Sequence, residues 1–344
     1  MATIDTHARQ NIPFHAEWPK ALDPQLESIL FKVARVAWDI LSIIIFPIGL
    51  VRLGIWALKK FAISQIYPAP LKYQADAEKL LTSKKGVRVT ITSPQNVKLE
   101  TAYFPGGSEK AILHFPGLGN QWEYCGNEIA ELLAPQDAHL LMVNSRWCTA
   151  GNPPPDKEGL ALDAWTAFNY LVNEKGIAPE NILFMGHSMG GAVATLGAAL
   201  AQEEYPDIEI KLISWNSFHS LASAAKHLIA QESKCCFGIA AHLAYWGMKI
   251  AGDIDVTAAL ATVKNKAVIW NREDETVLHP AQIIHHARGG YSFEMSPGPT
   301  ACSEHNRYFS DVEAQALHTL IKKLFDHHIT HAEEDHFQQL VNCI

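Results

Sequence analysis

The sequence lacks an uninterrupted apolar run long enough to cross a bilayer. The longest, residues 40–51, already contains Ser42, Pro47 and Gly49, whereas a spanning helix needs about 20 residues. Extending it takes in Asp39 and Arg52, each costing roughly 2.5–3.5 kcal/mol near the bilayer centre. Positive charge is not in excess either. The net charge is −8 and no basic stripe interleaved with aromatics runs through residues 71–344, which speaks against a nucleic-acid partner. The six cysteines, at 125, 148, 235, 236, 302 and 343, show no C-x-x-C spacing. They fit free thiols in a reducing, cytoplasmic compartment, not a disulfide framework or a zinc site. Cys343 is second from the end, so the tail carries no prenylation signal. The polar start, broken by Pro13, Pro19 and Pro24, lacks the basic-then-apolar pattern of a cleavable secretory signal, and no Sec-type export is implied. The C-terminal His327, His328, His331 and His336 lie among Glu333, Glu334 and Asp335 without an H-E-x-x-H arrangement. They read as a solvated tail, so no metal and no other cofactor is expected.

What is present divides at about residue 70. In the 1–70 segment, residues 28–63 are the most apolar part of the chain, and Ser28, Lys32, Arg35, Asp39 and Ser42 recur at steps of four and three. On a helix they stack into one narrow polar stripe. Pro47 and Gly49 break that helix, and a second run carries Arg52, Lys59 and Lys60 beside Trp56 and Phe61. Such a helical hairpin suits the membrane interface, with its cations toward lipid headgroups. It suits packing on the rest of the protein equally well, and both readings stay open.

From 71 to 344 the pattern is that of an α/β domain. Residues 87–92 and 97–104 alternate and are joined by Ser93-Pro94-Gln95-Asn96, an antiparallel pair with its turn. Continuous apolar runs at 111–115, 140–143, 182–184, 212–215 and 267–270 read as buried parallel strands. Helical patterns fall between them at 123–133, 158–174, 189–204 and 221–250. This alternation predicts a mostly parallel sheet covered by helices on both faces, with its site at the carboxyl ends of the strands.

Gly186-His187-Ser188-Met189-Gly190 lies where the 182–184 strand meets the 189–204 helix, the strand-turn-helix context that makes G-x-S-x-G a nucleophile elbow. Gly186 and Gly190 remove side chains that would clash in so sharp a turn, and His187 is expected to support the elbow. An acid, Asp274, follows a late strand, and His305 follows the last strand signal, residues 291–295. A serine needs a base, and the base needs an acid to fix its tautomer; Ser188, His305 and Asp274 supply the three. Glu273 and Glu275 flank Asp274 as rivals, but the spacing from Asn271 to Val277 favours Asp274. His279, His285 and His286 are expected in a helical region as surface or packing residues, and Cys302 is a poor second nucleophile. Backbone N–H groups of Met189 and Leu118, the latter in the Pro116-Gly117-Leu118-Gly119 turn, are the candidate oxyanion donors.

The elbow and the chain order Ser188, Asp274, His305 resemble the α/β-hydrolase superfamily from about residue 85 onward. The resemblance implies that fold and its triad. It also extends to Asn144-Ser145-Arg146-Trp147 and to Ser217-Phe218-His219-Ser220-Leu221. Pro116-Gly117 departs from the His-Gly of many members. Together with the apolar 28–63 segment, the chain is similar to chlamydial virulence-associated proteins and lipase-like effectors of intracellular bacteria. That implies a host-facing hydrolase, exported without a cleavable signal. Residues 217–263 carry apolar helical sequence near the strand ends, either a lid with an acyl pocket or an ordinary covering helix. The expected activity is hydrolysis of carboxylic esters, of small molecules or of lipids met at a membrane surface, with thioesterase and peptidase chemistry as variants on the same triad. A hydrolase-fold interaction protein without catalysis, at a membrane or on a host partner, is the alternative that the altered Pro116-Gly117 turn would suit.

Overall fold

The computed structural model describes residues 12–15, 71–149, 151–232, 237–298 and 303–326. The 28–63 segment, the histidines from 327 onward and Cys235, Cys236, Cys302 and Cys343 lie outside the described residues. Among the described residues no helix is long and apolar enough to cross a membrane, and Cys125 and Cys148 are free and buried.

Among the described residues, nine strands form one sheet: β1 (Ile12–His15), β2 (Val87–Thr92), β3 (Lys98–Phe104), β4 (Ala111–Phe115), β5 (His139–Val143), β6 (Ile182–His187), β7 (Lys211–Trp215), β8 (Asn265–Trp270) and β9 (Tyr291–Glu294). Their order across the sheet is β1-β2-β3-β5-β4-β6-β7-β8-β9. Only β3 runs antiparallel to its neighbours. The turn between β2 and β3 closes through Asn96 N–H on the Ser93 carbonyl at 2.8 Å. The expected strands are all present: four are extended by one to three residues, two keep their bounds, and two, β3 and β9, are shorter by one. β1 is new: the polar, proline-broken start contributes an edge strand, parallel to β2 with Phe14 opposite Ile91. An edge accommodates Pro13, which has no N–H to give.

Helices cover both faces, as the apolar runs require. On one face α1 (Leu71–Ser83), α2 (Trp122–Leu133) and α8 (Asp311–Asp326) bury Leu81, Trp122 and Leu320 against Ile112, Met185 and Ile269. On the other, α3 (Lys157–Asn173), α4 (Met189–Glu204) and α7 (Thr257–Thr262) bury Phe168, Val193 and Leu260 against Leu113, Phe184 and Val268. Alternate residues of β4 and β6 thus enter opposite cores, so these central strands are apolar throughout. The 221–250 pattern, read as one helix, is two: α5 (Leu221–Glu232) and α6 (Phe237–Gly252), packed on each other. The 279–286 region is not helical in the α sense but forms two short 3₁₀ turns, His279–Ala281 and Ile283–His286, separated by Gln282 in extended backbone at φ −69°, ψ 147°. The loop after β5 is anchored in the core by Arg146, which holds Asp163 of α3 through Nε at 2.8 Å and Nη2 at 2.9 Å.

Candidate active site

The site grows from the end of β6. Ser188 takes φ 54° and ψ −120° between that strand and α4, a region L residues enter only under constraint. Two bonds impose it: the Ser188 N–H donates to Trp215 O at 2.8 Å, and Ser217 Oγ donates to Ser188 O at 2.8 Å. The flanking glycines permit it. A Cβ on Gly186 would lie 2.1 Å from Gly190 O, and one on Gly190 would lie 2.0 Å from Phe115 O.

The acid sits just beyond β8, where Asp274 Oδ1 accepts the N–H groups of Thr276 at 2.8 Å and Val277 at 2.7 Å. Its other oxygen, Oδ2, accepts from His305 Nδ1 at 2.7 Å, and His305 Nε2 lies 2.8 Å from Ser188 Oγ. All three residues are buried. Because Nδ1 must donate to a carboxylate, Nε2 is left as the lone-pair face toward the serine.

His305 is gripped by its backbone as well. Its carbonyl accepts from His187 Nε2 at 2.8 Å and Asn216 Nδ2 at 3.3 Å. Burial, with the nearby His305 ring, holds the pKa of His187 down to about 3. It is therefore a neutral Nε2–H tautomer joining elbow to base loop. On the opposite side the His305 N–H reaches Glu275 Oε2 at 3.3 Å. Asn216 and Glu275 were not legible as partners in the sequence. Glu275 stood there only as a rival acid, and nothing local marks Asn216.

At the oxyanion side, Met189 opens α4, so its N–H has no intrahelical partner. Leu118 lies in a turn closed by Asn120 N–H on Gly117 O at 3.0 Å, with Gly119 at φ +80°. Gly117 packs onto the elbow, a Cβ there falling 3.4 Å from Ser188 Cβ. The Pro116-Gly117 departure therefore still brings the turn against Ser188. Asn144, after β5, holds this loop from behind: Oδ1 accepts Trp122 N–H at 2.8 Å and Nδ2 donates to Glu123 at 2.8 Å. The Leu118 side chain is 54% exposed.

The remaining candidates are elsewhere. Glu273 is exposed. His279 packs on Trp270 and His285, and the His286 ring lies 4.5 Å from that of His219, tilted by 47°. Between α5, α6 and the 283–286 turn is a cavity of about 510 Å³ lined by His219, Lys226, Tyr245, Trp246 and His286. No group of histidines, cysteines and acids among the described residues is placed to hold a metal.

This architecture and strand order are those of the α/β-hydrolase fold. A structure titled alpha-beta hydrolase (ABH) from Vibrio vulnificus superposes with a TM-score of 0.60 at 21% identity, over 77% of this chain and 93% of that one. The Pyrococcus furiosus esterase Pf2001 gives 0.53 at 16% identity, over 70% and 91%. Acetyl xylan esterase 1 from Thermoanaerobacterium sp. JW/SL YS485 gives 0.50 at 12%, over 75% and 95%. No protein-family model matches the chain. In sequence, 87 residues, 25% of the chain, are 41% identical to the multifunctional-autoprocessing repeats-in-toxin of Vibrio cholerae serotype O1. The Vibrio vulnificus toxin of the same name matches to the same extent. The matched stretch spans 2% of either toxin's length.

Proposed function

We propose that this chain is a serine hydrolase of carboxylic esters, with Ser188 as nucleophile, His305 as general base and acid, and Asp274 as its orienting carboxylate. The observation that carries the reading is the continuous hydrogen-bonded path from Asp274 through His305 to Ser188 at a strained elbow. In the first step Ser188 Oγ bonds to the ester carbonyl carbon while its proton passes to His305 Nε2. The carbonyl oxygen, now negative, receives the N–H groups of Met189 and Leu118. Collapse breaks the C–O bond, and His305 returns the proton to the departing alkoxide, leaving an acyl-Ser188. Water, deprotonated by His305, repeats the sequence and releases the carboxylic acid.

Fold neighbours named as esterases support the ester class, although thioesters and peptides would use the same three residues. A lipid or acyl ester at a membrane surface is the finer form of this proposal. It rests on the apolar 28–63 segment and on the exposed Leu118 and Trp246. The 87-residue likeness to a protein named a repeats-in-toxin supports a host-facing role. Labelling with a fluorophosphonate probe tests the core claim. Wild-type protein is labelled and Ser188→Ala is not; folded wild-type protein that stays unlabelled leaves the hydrolase-fold interaction protein as the surviving reading.

A further inference from the structure

We propose that Glu275 is a positioning residue that fixes the backbone of the base loop, so that Asp274 and Glu275, adjacent in the chain, divide the control of His305 between its ring and its main chain. The inference rests on the reading of Ser188 and His305 given above. Glu275 Oε1 accepts the Ser303 hydroxyl, and Oε2 accepts the N–H groups of Glu304 at 3.1 Å and His305 at 3.3 Å. Three consecutive residues thus hang from one carboxylate. Because Asp274 is locked into its own turn by Thr276 and Val277, the acid loop is a rigid mount, and Glu275 transmits that rigidity to residues 303–305.

The need for such a mount follows from the chain path. His305 lies in a turn with no regular element until α8 begins at Asp311, so its ring direction depends on side-chain ties. From the elbow side, His187 and Asn216 hold its carbonyl; Glu275 holds its N–H from the acid side. The next residues are tied separately, Glu304 to Asn271 and Arg307, and Arg307 to Glu313. Although partial burial pushes the Glu275 carboxyl up, the Ser303 hydroxyl and the backbone N–H groups bring it below the usual carboxylate range. It therefore remains a charged acceptor at neutral pH. Glu275 is itself exposed, so its bonds are solvated and the expected effect is moderate.

The test compares full-length wild type, Glu275→Ala, Glu275→Gln, Ser303→Ala and the Glu275→Ala/Ser303→Ala double variant. It uses p-nitrophenyl acetate turnover together with amide hydrogen exchange at residues 303–305. Glu275→Ala lowers kcat about tenfold at unchanged KM and speeds exchange at 304 and 305. Glu275→Gln, whose amide oxygen still accepts, recovers most of the rate. The double variant is no slower than Glu275→Ala alone, because the Ser303 contact is already lost when Glu275 is removed. Wild-type kcat in Glu275→Ala, a glutamine variant no better than alanine, or additive losses would overturn the proposal. If wild-type protein neither turns over ester nor takes the fluorophosphonate, the hydrolase reading fails. Exchange then decides the mount alone, with faster exchange at 304 and 305 supporting it and unchanged exchange refuting it.

Discussion

Two buried histidines, alike in burial, do opposite work. His187 spends its single N–H on the His305 carbonyl, whereas His114 on β4 is 1% exposed, with neither ring nitrogen partnered among the described residues. Burial holds His114 down to about pKa 4 and His187 to about 3. Both are neutral in the folded chain, while an unfolded histidine takes a proton below about 6.5. Stability from these sites is therefore complete above that pH and is lost as pH falls toward their folded values. The loss is at most about 1.4 kcal/mol per pH unit for each histidine. His114→Leu removes one contribution together with two unsatisfied nitrogens. Urea denaturation from pH 7 to pH 5 should show a shallower fall for that variant than for wild type. On the proposed mechanism, Ser188→Ala and His305→Ala should abolish ester turnover with an unchanged circular dichroism spectrum. Asp274→Asn leaves a residue about 10⁴-fold below wild type, because its amide no longer favours the tautomer with Nδ1–H.

The elbow makes the same kind of argument at the scale of elements. β6 and α4 meet within one residue, and the end of β4 crosses close beneath them, so that Gly190 faces the carbonyl oxygens of Phe115 and Pro116 at 2.0 and 2.5 Å from where a Cβ would stand. Backbone cannot give way as a flexible side chain can. Gly190→Ala should therefore lower stability by about 1–3 kcal/mol, the cost of overpacking, seen as a lower urea midpoint, and reduce turnover further by displacing the Leu118 turn. Wild-type stability in that variant would mean that β4 and α4 can separate. The α5–α6 pair is a different kind of element, bound chiefly to itself and presenting Trp246 62% exposed.

At the scale of the whole molecule, the sheet divides two cores and places the serine, acid and base loops together at the carboxyl ends of β6, β8 and β9. Attachment through residues 28–63 is the remaining proposal at this scale. Because β1 closes the sheet edge beside β2, the informative deletion removes 28–63 and keeps 12–15. Full-length protein should float with anionic liposomes and be partly released by high salt, since each surface cation adds about 1 kcal/mol that salt screens. The deleted chain should stay in solution unbound. Aggregation of the deleted chain, with full-length protein indifferent to liposomes, would show that the segment packs on protein.

What the sequence determined by itself is whatever depends on neighbours in the chain. The elbow was legible because its glycines, serine, strand and helix lie within a few residues, and the sheet because buried strands are apolar throughout and helices repeat every 3.6 residues. Asp274 and His305 stand far from Ser188 in the chain, His305 by 117 positions, and were singled out because each follows a strand signal and because their order resembles that of the α/β-hydrolases, not by a pattern local to the elbow. The four residues of β1 were too few to show a period, and Pro13 argued against them until an edge position removed the objection. Tertiary structure alone decided the rest. His187 meets His305 across 118 positions and Asn144 meets Glu123 across 21. Such partners follow from the order in which strands pair, which local periodicity does not encode. Glu275 shows the limit most closely: adjacent to the acid, it was visible as a carboxylate, but only the folded loop shows that it faces the backbone of His305 while Asp274 takes the ring.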